Sequence, residues 1–483
     1  MATTMQGRVG GGPTHADSAL ARVAIAFTGW AERWFPDAFI FVAIAAVIVA
    51  IGAIVNGASP SAVSESFGNG FWSLITFTMQ MALIVIGGYV VATAAPVQRL
   101  IRGLASLPKT GVGAVGLAAA TSMVSSLLSF GLSLIVGGLL VRALAERREL
   151  HMDYRAAGAA AYLGLGATWA MGLSSSAALL QANAASLPKT LLPITGVIPF
   201  TETIFLWQSL IVIVALLVIS VIIAMWSAPG PETAVTAEDL GIAIAREETL
   251  GPAPPQKPSD WLEHSPLLTI LLALLAAGWL IHEFSRQSAI TAISNLNTYN
   301  FIFIMVGLLL HWRPGRFLAA VGKSVPATSG ILIQFPFYGA IATILTQAKN
   351  ASGLSLSDQI SHAFVSISTQ HLYPLLIGIY SAILGLFIPS GGGKWVLEAP
   401  YVMQAANDLK VHLGWAVQVY NAAEALPNLI NPFWMLPLLG VLGLRARDLV
   451  GFTFLQLLVH VPLVLFLLWA LAYTLEYHPA IIP

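Results

Sequence analysis

The sequence predicts an all-α polytopic membrane protein with two inverted-topology repeats, each containing a re-entrant helical hairpin. The first observation is composition: apolar residues make up 57% of the 483 residues and charged residues only 9%, whereas a soluble domain has roughly 25% charged residues. The second is a series of apolar stretches long enough to cross a bilayer. The third is a pair of longer stretches, 113–141 and 371–405, whose middles are rich in glycine and serine. Together they predict about nine spanning helices plus two hairpins.

Charge balance and residue usage exclude several classes of protein. The chain has 22 basic and 22 acidic residues, so it lacks the basic excess of a nucleic-acid-binding protein. It has no cysteine, which excludes disulfides, thiolate metal sites and a cysteine nucleophile. No Gly-x-Ser-x-Gly, His-Glu-x-x-His or P-loop pattern occurs in the sequence. We therefore expect neither an enzyme nor a protein that holds a cofactor or a metal.

The chain divides into an N-terminal segment, a first membrane half, a linker rich in proline and charge, a second membrane half and a C-terminal tail. The predicted bounds are 1–36, 37–226, 227–264, 265–474 and 475–483. The N-terminal segment is too polar for a signal peptide. Its residues 18–35 form either an interfacial amphipathic helix or an ordinary lead-in to the first span. The linker is predicted to be solvated, with one short helix.

Apolar stretches predict the membrane segments of both halves. They cover 37–56, 71–95, 113–141, 156–183, 203–226, 266–284, 298–311, 325–347, 371–405, 413–441 and 449–474. Arg and Lys cluster in alternate loops, which places these loops and the N-terminus in the cytoplasm. Basic loops flank 113–141 on both sides, so this hairpin enters from the cytoplasm. The hairpin 371–405 lies between loops that are predicted to be external, and it enters from the outside.

The two halves then share one order of segments and have opposite orientations. In each half a helix precedes the hairpin, and an interrupted helix and a final helix follow it. The interruptions lie at 172–176 and 424–433, and the hairpin tips at 125–133 and 389–393. Opposed hairpins in inverted repeats are typical of secondary transporters, which bind their substrate near the midplane of the membrane.

Broken helices expose N–H groups that hold anions and carbonyl groups that hold cations. Ser, Asn and Gln side chains add neutral donors and acceptors, and the whole set suits a small carboxylate with a co-transported cation. The predicted substrate-binding residues are Gln80, Ser129, Gly131, Ser133, Ser174, Ser175, Gln334, Ser390, Gly391, Gly392, Gly393, Lys394, Asn428 and Asn431. Alternatively, the small residues serve close helix packing, and Gln80 and Gln334 bond neighbouring helices.

Three charged residues, Lys394, Glu398 and Glu424, lie inside apolar segments. Buried ionisable groups are costly and are functional candidates by default. Lys394 and Glu398 are four residues apart on one helix face, which is compatible with an ion pair. In the alternative interpretation, Lys394 attracts the substrate carboxylate. Glu424 is the candidate for carrying the coupling proton or ion, or else it is a structural partner of Lys394.

Several runs resemble the short-chain fatty acid transporter family, which is grouped with the ion transporter superfamily. They are Phe71-Trp72, Met79-Gln80-Met81-Ala82-Leu83-Ile84, residues 328–338, Pro389-Ser390-Gly391-Gly392-Gly393 with Trp395, and Asn431-Pro432-Phe433-Trp434. The resemblance extends from about Trp34 to the last helix. It implies symport of monocarboxylates such as acetoacetate and butyrate with H⁺ or Na⁺ at a bacterial inner membrane. It also implies a homodimer with a scaffold and a moving transport domain. Family members can have histidine where Lys394 stands, which argues against a universal role for this lysine.

The main alternative is a carrier of the same fold for another organic anion, such as a dicarboxylate. A single buried basic residue and nearby aromatic residues favour one carboxylate with a short alkyl tail. The aromatic candidates for the wall around the tail are Phe335, Phe337, Trp395, Phe433 and Trp434. A passive channel is a further alternative, because residues 431–433 resemble one Asn-Pro-Ala turn of an aquaporin. That architecture needs two such turns, and this sequence offers one.

Overall fold

The computed structural model of the chain describes residues 38–244, 257–388, 390–480 and 482. Within these ranges the regular structure is helical, apart from one isolated bridge between Lys349 and Ser355. The predicted N-terminal segment and its helix at 18–35 lie outside the described residues, as do the middle of the linker and Pro389.

The first half is a succession of helices that contains one hairpin and one interrupted helix. Its described α-helices are α1 (Ala38–Val55), α2 (Pro60–Phe71), α3 (Ile75–Thr93), α4 (Ala95–Ala105), α5 (Gly111–Leu128), α6 (Phe130–Ala145), α7 (Tyr154–Leu163), α8 (Ser176–Gln181), α9 (Leu192–Thr195) and α10 (Trp207–Ser227). A π-turn at Gly164–Thr168 and a 3₁₀ turn at Trp169–Met171 follow α7. Together with the break at 172–175, they make α7 and α8 one interrupted helix.

The second half repeats this succession after three additional helices. Its described α-helices are α11 (Pro258–His264), α12 (Leu267–Arg286), α13 (Ala289–Ser294), α14 (Leu296–His311), α15 (Pro314–Ser324), α16 (Ser329–Gln347), α17 (Leu356–Ile367), α18 (Tyr373–Phe387), α19 (Gly391–Asp408), α20 (Leu413–Asn428), α21 (Pro432–Leu442) and α22 (Ala446–Ala472). The short helix α11 lies within the predicted linker, where one short helix was expected.

The order of elements confirms the prediction of two repeats. Helices α1 to α4 correspond to α14 to α17, and the hairpin α5–α6 corresponds to α18–α19. The interrupted helix α7–α8 corresponds to α20–α21, and α10 corresponds to α22. The repeats are interleaved, because α1 and α2 pack on α16 while α14 and α15 pack on α3.

Seven helical segments of the described residues are long and apolar enough to cross a membrane. They are Ile75–Thr93, Gly111–Leu128, Tyr154–Gln181, Trp207–Ser227, Leu267–Arg286, Pro314–Gln347 and Ala446–Ala472. Shorter apolar helices include α6, α14, α18 and most of α1. The chain is therefore a multi-pass, all-α membrane protein, as predicted.

The two hairpins open toward opposite ends of the molecule. At the open end of α5–α6, Arg147 donates hydrogen bonds to the carbonyl oxygens of Ala105 (2.9 Å) and Pro108 (2.8 Å); we call this end the hairpin-1 face. At the open end of α18–α19, Asn407 donates to the carbonyl oxygen of Ile194 at 2.6 Å; we call this end the hairpin-2 face. The distribution of basic residues predicts that the hairpin-1 face is cytoplasmic.

The two hairpins are built differently. In hairpin 1, one extended residue, Ser129, joins α5 to α6, and the two arms pack closely. In hairpin 2, large side chains hold the arms apart. The Tyr373 hydroxyl donates to the carbonyl oxygen of Val402 at 3.0 Å, and the hydroxyls of Tyr380 and Tyr401 are 2.9 Å apart. The space between these arms accommodates charged side chains.

The tip of hairpin 2 differs from the prediction in one respect. The sequence predicts that 389–393 is non-helical, yet Gly391, Gly392 and Gly393 form the first turn of α19. Close packing explains these glycines. A Cβ atom on Gly393 would overlap the ring of Tyr338, and one on Gly391 would overlap the ring of Trp169. The glycines therefore let large rings approach the start of the helix.

Candidate functional site

The tip of hairpin 1 is hydrogen-bonded to the break in the first interrupted helix. The Phe130 N–H donates to Ser174 Oγ at 2.9 Å, and the Leu173 N–H donates to the Leu127 carbonyl oxygen at 2.7 Å. A Cβ atom on Gly172 would lie 2.5 Å from the Cα atom of Leu127, so glycine permits this approach. These bonds satisfy backbone groups that the helix ends leave without partners.

The tip of hairpin 2 is bonded to the second interrupted helix. Ser390 caps α19, because its Oγ accepts the N–H of Gly393 at 3.2 Å. The Tyr420 hydroxyl on α20 donates to the carbonyl oxygen of Gly391 at 2.6 Å. Between the repeats, the Ser175 hydroxyl donates to Asn421 Oδ1 at 3.1 Å. The four interruptions that the sequence indicates thus meet in one region.

A small chamber of about 20 Å³ lies between the two tips. Its wall is mostly apolar and aromatic, and its polar groups include Ser176, Ser390, the first turn of α19 and the indole N–H of Trp169, which has no hydrogen-bond partner among the described residues. The lining residues are Met81, Phe130, Leu165, Trp169, Ser176, Ile331, Phe335, Ser390, Gly391, Gly392 and Trp434. The first N–H groups of a helix have no intrahelical partner and form the positive end of its dipole. The start of α19 therefore offers the chamber a site for an anion.

A larger cavity of about 540 Å³ adjoins the chamber. The two spaces share lining residues Phe130, Ile331, Phe335, Ser390 and Trp434. The cavity extends to Pro326, next to the start of α16. The start of α16 is joined through α15 to the end of α14. At the end of α14, His311 Nε2 lies 2.8 Å from the carbonyl oxygen of Val90, which is near the end of α3. The cavity thus runs from the tips toward the hairpin-1 face.

Lys394, Glu398 and Glu424 form one charged group between α18, α19 and α20, which we call the charged triad. Lys394 Nζ lies 2.7 Å from Glu398 Oε1 and 2.9 Å from Glu424 Oε2, and it donates to the Ser381 carbonyl oxygen at 3.1 Å. The three side chains are 0–1% exposed. Two carboxylates and one ammonium carry a formal charge of −1 when all are ionised. Burial of a net charge is costly, so the charged triad favours uptake of one proton or cation.

The partners of Lys394 support the ion-pair interpretation. Its ammonium has three N–H donors, and two carboxylates and one carbonyl oxygen occupy them. Of the two carboxylates, Glu398 also accepts a hydrogen bond from the Ser381 hydroxyl. Glu424 Oε1 has no hydrogen-bond partner among the described residues. This oxygen is the position in the charged triad where a proton meets no competing donor.

The two predicted glutamines occupy different surroundings. Gln80 lies outside both cavities. Its Nε2 donates to Asn297 Oδ1 at 2.8 Å, and the Ser186 hydroxyl donates to its Oε1 at 2.8 Å. These bonds agree with the packing alternative for Gln80. Gln334, by contrast, lines the larger cavity.

Three predicted residues of hairpin 1 surround its tip. Ser129 caps α6, with its Oγ 3.4 Å from the Leu132 nitrogen. The Ser133 hydroxyl donates to the carbonyl oxygen of Phe130 at 3.2 Å, so it acts within the helix. Gly131 lines the larger cavity. Of these three, only Gly131 borders a space that a substrate can enter.

Two predicted asparagines lie at the second break. Asn428 is completely buried, and in the described part of the chain neither atom of its amide has a hydrogen-bond partner. Its carbonyl oxygen accepts the Tyr162 hydroxyl at 2.7 Å, which ties the break to the first repeat. Asn431 is buried as well. Neither asparagine lines the chamber.

Several lining residues were not predicted. Trp169 and Ser176 flank the break at 172–175, and both line the chamber. Ser176 is the last residue of the predicted interruption at 172–176, and Trp169 lies three residues before its start; this proximity to the interruption is the signal that sequence reasoning overlooked. Tyr420 does not line the chamber but bonds Gly391 at the start of α19. The sequence gives no signal for this contact, because the two residues lie on different helices.

The predicted aromatic wall is partly formed. Phe335 and Trp434 line the chamber. Trp395 instead packs on Tyr420, with ring centroids 4.6 Å apart, and Phe337 packs on Phe71 at 5.4 Å. The side chain of Phe433 is outside the described part of the molecule.

Glu202, His412 and His478 form a polar cluster at the hairpin-2 face, with potential ligand atoms within 4.8 Å of one another. His478 Nε2 lies 3.0 Å from Glu202 Oε2. His412 Nδ1 accepts the Trp415 N–H at 3.0 Å, so in the neutral ring the other nitrogen carries the proton. Burial and the nearby His478 lower the pKa of His412 to about 4. A nitrogen that binds a metal must carry no proton, but the second nitrogen of His412 carries the proton of the neutral ring. The cluster is therefore better suited to holding the C-terminal tail than to binding a metal.

Comparison with known proteins relates most of the chain to one family. Residues 19–471 match the family described as short chain fatty acid transporter. A protein of Escherichia coli (strain K12) with a provisional short-chain fatty acid transporter name is 33% identical over 443 residues, which cover 91% of this chain and 97% of the relative. A protein of Haemophilus influenzae (strain ATCC 51907 / DSM 11121 / KW20 / Rd) with the same name is 29% identical over 458 residues, which cover 92% and 98%.

A solved transporter structure has the same fold. The YdaH transporter of Alcanivorax borkumensis, described as having an unusual topology, aligns with a TM-score of 0.54 at 13% identity. The alignment covers 93% of this chain and 98% of the transporter. At this identity the likeness concerns the fold alone.

Proposed function

Because the chain belongs to the short-chain fatty acid transporter family, we propose that it is a symporter that carries monocarboxylates such as butyrate and acetoacetate together with H⁺ or Na⁺. The chain is a membrane transporter and not an enzyme. The observation that carries the proposal is the chamber between the hairpin tips, where a helix N-terminus adjoins an apolar wall.

The chamber combines the two surfaces that a short fatty acid needs. Its carboxylate binds the free N–H groups of Gly391 and Gly392, and the helix dipole contributes about 0.3–1 kcal/mol. Its alkyl tail contacts Phe335 and Trp434, and each buried CH₂ contributes about 0.8 kcal/mol. The described lining contains no charged side chain. A second carboxylate would therefore be desolvated without a partner, which favours a monocarboxylate over a dicarboxylate.

The chamber is too small for a fatty acid in the described conformation. Its volume of about 20 Å³ holds roughly one water molecule. We infer that the tips separate when substrate binds, and that substrate reaches them through the larger cavity from the hairpin-1 face. The shared lining at Phe130 and Ser390 is where the two spaces become one.

The charged triad provides the coupling site of this proposal. One positive charge taken up with the substrate makes the charged triad neutral, because its formal charge is −1 when fully ionised. Glu424 is the proposed carrier of that charge. A proton needs only the free oxygen of Glu424, whereas Na⁺ needs several oxygen ligands, so the geometry favours H⁺.

The proposal also includes a membrane, an orientation and an assembly. We place the protein in the bacterial inner membrane with its N-terminus and its hairpin-1 face in the cytoplasm, since Arg147, Arg148 and Arg155 lie at that face. The family resemblance supports a homodimer. We assign α1–α3 and α14–α16 to a scaffold, and the hairpins with the interrupted helices to the moving part.

Uptake of labelled butyrate into proteoliposomes tests this function, with a pH gradient and a Na⁺ gradient imposed separately. Protein-free vesicles measure diffusion of the undissociated acid. We expect saturable uptake that the pH gradient drives. Glu424→Gln should reduce driven uptake to the protein-free level while butyrate–butyrate exchange continues, because an amide keeps the shape of the side chain but binds no proton. Glu65→Gln, at an exposed glutamate of α2, is the matched control.

Three results would change the assignment. Uptake driven only by the Na⁺ gradient would identify Na⁺, and not H⁺, as the coupling ion. Saturable succinate transport without butyrate transport would favour the dicarboxylate alternative. Loss of exchange together with driven uptake in Glu424→Gln would give this residue a role in substrate binding or structure.

A further inference from the structure

Tyr420 touches both parts of the proposed site. Its ring lies beneath the ammonium of Lys394, with Nζ 4.3 Å from the ring centroid. Its hydroxyl donates to the carbonyl oxygen of Gly391 at 2.6 Å. The side chain is 1% exposed, and it precedes Glu424 by one turn of α20. One rigid ring therefore joins the charged triad to the tip of hairpin 2.

The bond to Gly391 fixes the group that faces the substrate. The carbonyl group of Gly391 and the N–H group of Gly392 belong to one planar peptide unit, and in a trans peptide they point in opposite directions. In a helix the N–H points toward the N-terminus, where Gly391 and Gly392 line the chamber. By holding the carbonyl, Tyr420 sets the direction of an N–H donor for the substrate carboxylate.

We propose that Tyr420 is a positioning residue that couples the protonation of Glu424 to the binding of carboxylate at the tip of hairpin 2. The inference rests on the proposed function. When Glu424 is ionised, the Lys394 ammonium is attracted by two carboxylates. A proton that binds Glu424 weakens one of these attractions, so the ammonium interacts more strongly with the ring of Tyr420. Because the hydroxyl on the same ring is bonded to the Gly391 carbonyl oxygen, a displacement of the ring also moves the peptide unit at the tip.

Other groups that face the charged triad are uncharged hydroxyls. Glu398 or Glu424 interacts electrostatically with tyrosines from three neighbouring helices: Tyr338 on α16, Tyr373 and Tyr380 on α18, and Tyr401 on α19. The Ser381 hydroxyl on α18 binds Glu398. Tyr338 also reaches the tip, where its hydroxyl interacts with the Ser390 side chain. Among the tyrosines around the charged triad in the described part of the chain, Tyr420 is the one whose hydroxyl bonds a peptide group of the chamber.

The test measures butyrate exchange in proteoliposomes at equal internal and external pH, at acidic and at alkaline values. In the wild type we expect a lower KM at acidic pH. Tyr420→Phe keeps the ring over Lys394 and removes the bond to Gly391. It should raise the acidic KM by about 3- to 10-fold, leave Vmax nearly unchanged and flatten the pH dependence of KM. Tyr154→Phe is the matched control, because it removes a buried hydroxyl that bonds the carbonyl oxygen of Leu442 at the hairpin-1 face.

A double-mutant cycle isolates the coupling. Glu424→Gln imitates the protonated carboxyl, so it should lower the alkaline KM in the wild-type background. In the Tyr420→Phe background the same change should have no effect on KM. An equal effect in both backgrounds would overturn the inference, as would a Tyr420→Phe protein with the wild-type pH dependence.

A second measurement does not depend on transport. Butyrate should raise the thermal unfolding temperature of the detergent-solubilised wild type more at acidic than at alkaline pH, and Tyr420→Phe should lose this difference. Retention of the difference would contradict the inference. Failure of the proposed function has another signature, which is absence of saturable butyrate uptake by the wild type, and that result overturns both.

Discussion

At the level of single residues, Lys394 shows how a buried charge becomes tolerable. The side chain has no exposed surface, and its three donors meet three acceptors within the membrane. The neighbouring ring of Tyr420 adds a fourth contact. The charged triad is stable only when all three of its members are present, because the charge of each member offsets the cost of desolvating the others.

Lys394→Met should be strongly destabilising, because it leaves Glu398 and Glu424 without their counter-charge. Removal of one partner from a buried ion pair costs about 3–5 kcal/mol. We expect a markedly lower unfolding temperature of the detergent-solubilised protein, measured by intrinsic fluorescence. Lys349→Met, at an exposed lysine, should have almost no effect. An unchanged unfolding temperature in Lys394→Met would show that the ammonium does not compensate both carboxylates.

His412 at the hairpin-2 face should make stability depend on pH. Its pKa is about 4 in the folded protein and roughly 6.5 in an unfolded chain, so the unfolded chain binds the proton first as the pH falls. The free energy of unfolding should therefore be highest above about pH 6.5, and it should fall by about 1–3 kcal/mol as the pH decreases toward about 4. The unfolding temperature as a function of pH measures this decrease.

The control for this pH dependence is His412→Asn. Asparagine does not titrate in this range, and its side chain accepts the capping bond that Trp415 N–H donates to His412. The variant should lose less stability than the wild type over the same pH range. Equal losses in both proteins would assign the effect to other groups.

At the level of elements, the start of α19 depends on the absence of side chains. Gly393→Ala should abolish butyrate uptake, because the added Cβ atom would overlap the ring of buried Tyr338 and displace the helix start from the chamber. Overpacking of this kind costs about 1–3 kcal/mol. Gly451→Ala in α22 is the matched control, since its Cβ atom would have no neighbour within 4 Å. Normal uptake by Gly393→Ala would show that the tip adapts.

The long elements are those that the sequence predicts well. Apolar stretches locate both hairpins and both interrupted helices, and the predicted start at 413 coincides with the start of α20. The helices α2, α4, α15 and α17 were not predicted, because their polar faces lower the mean hydropathy below that of a membrane segment. They connect apolar helices, and their amphipathic pattern is the signal that could have revealed them.

The candidate site is harder to predict, because its contacts join residues that are distant in sequence. Gln80 and Gln334 occupy the same place in α3 and α16, yet only Gln334 lines a cavity. The difference arises because Asn297 of α14 binds Gln80, and no local pattern reports that pairing. Tyr420 is a similar case, since its two partners lie on another helix.

At the level of the whole molecule, the two faces should be accessible from opposite sides of the membrane. The chain has no cysteine, so single substitutions give unique labelling sites. In spheroplasts, a membrane-impermeant thiol reagent should label Lys349→Cys without lysis and Arg148→Cys only after lysis; both positions are exposed. Labelling of Arg148→Cys in intact spheroplasts, with Lys349→Cys protected, would reverse the orientation.

The interleaving of the repeats has a consequence for biosynthesis. Helix α1 packs on α16 and α3 packs on α14, so two of the earliest helices to leave the ribosome have their partners in the second half of the chain. Long-range pairing of this kind delays completion of the native structure. The nascent first half is therefore inserted into the bilayer before the helices that pack on α1 and α3 in the native structure have been made. Until then these helix surfaces face lipid, and insertion of the second half completes the fold of both halves.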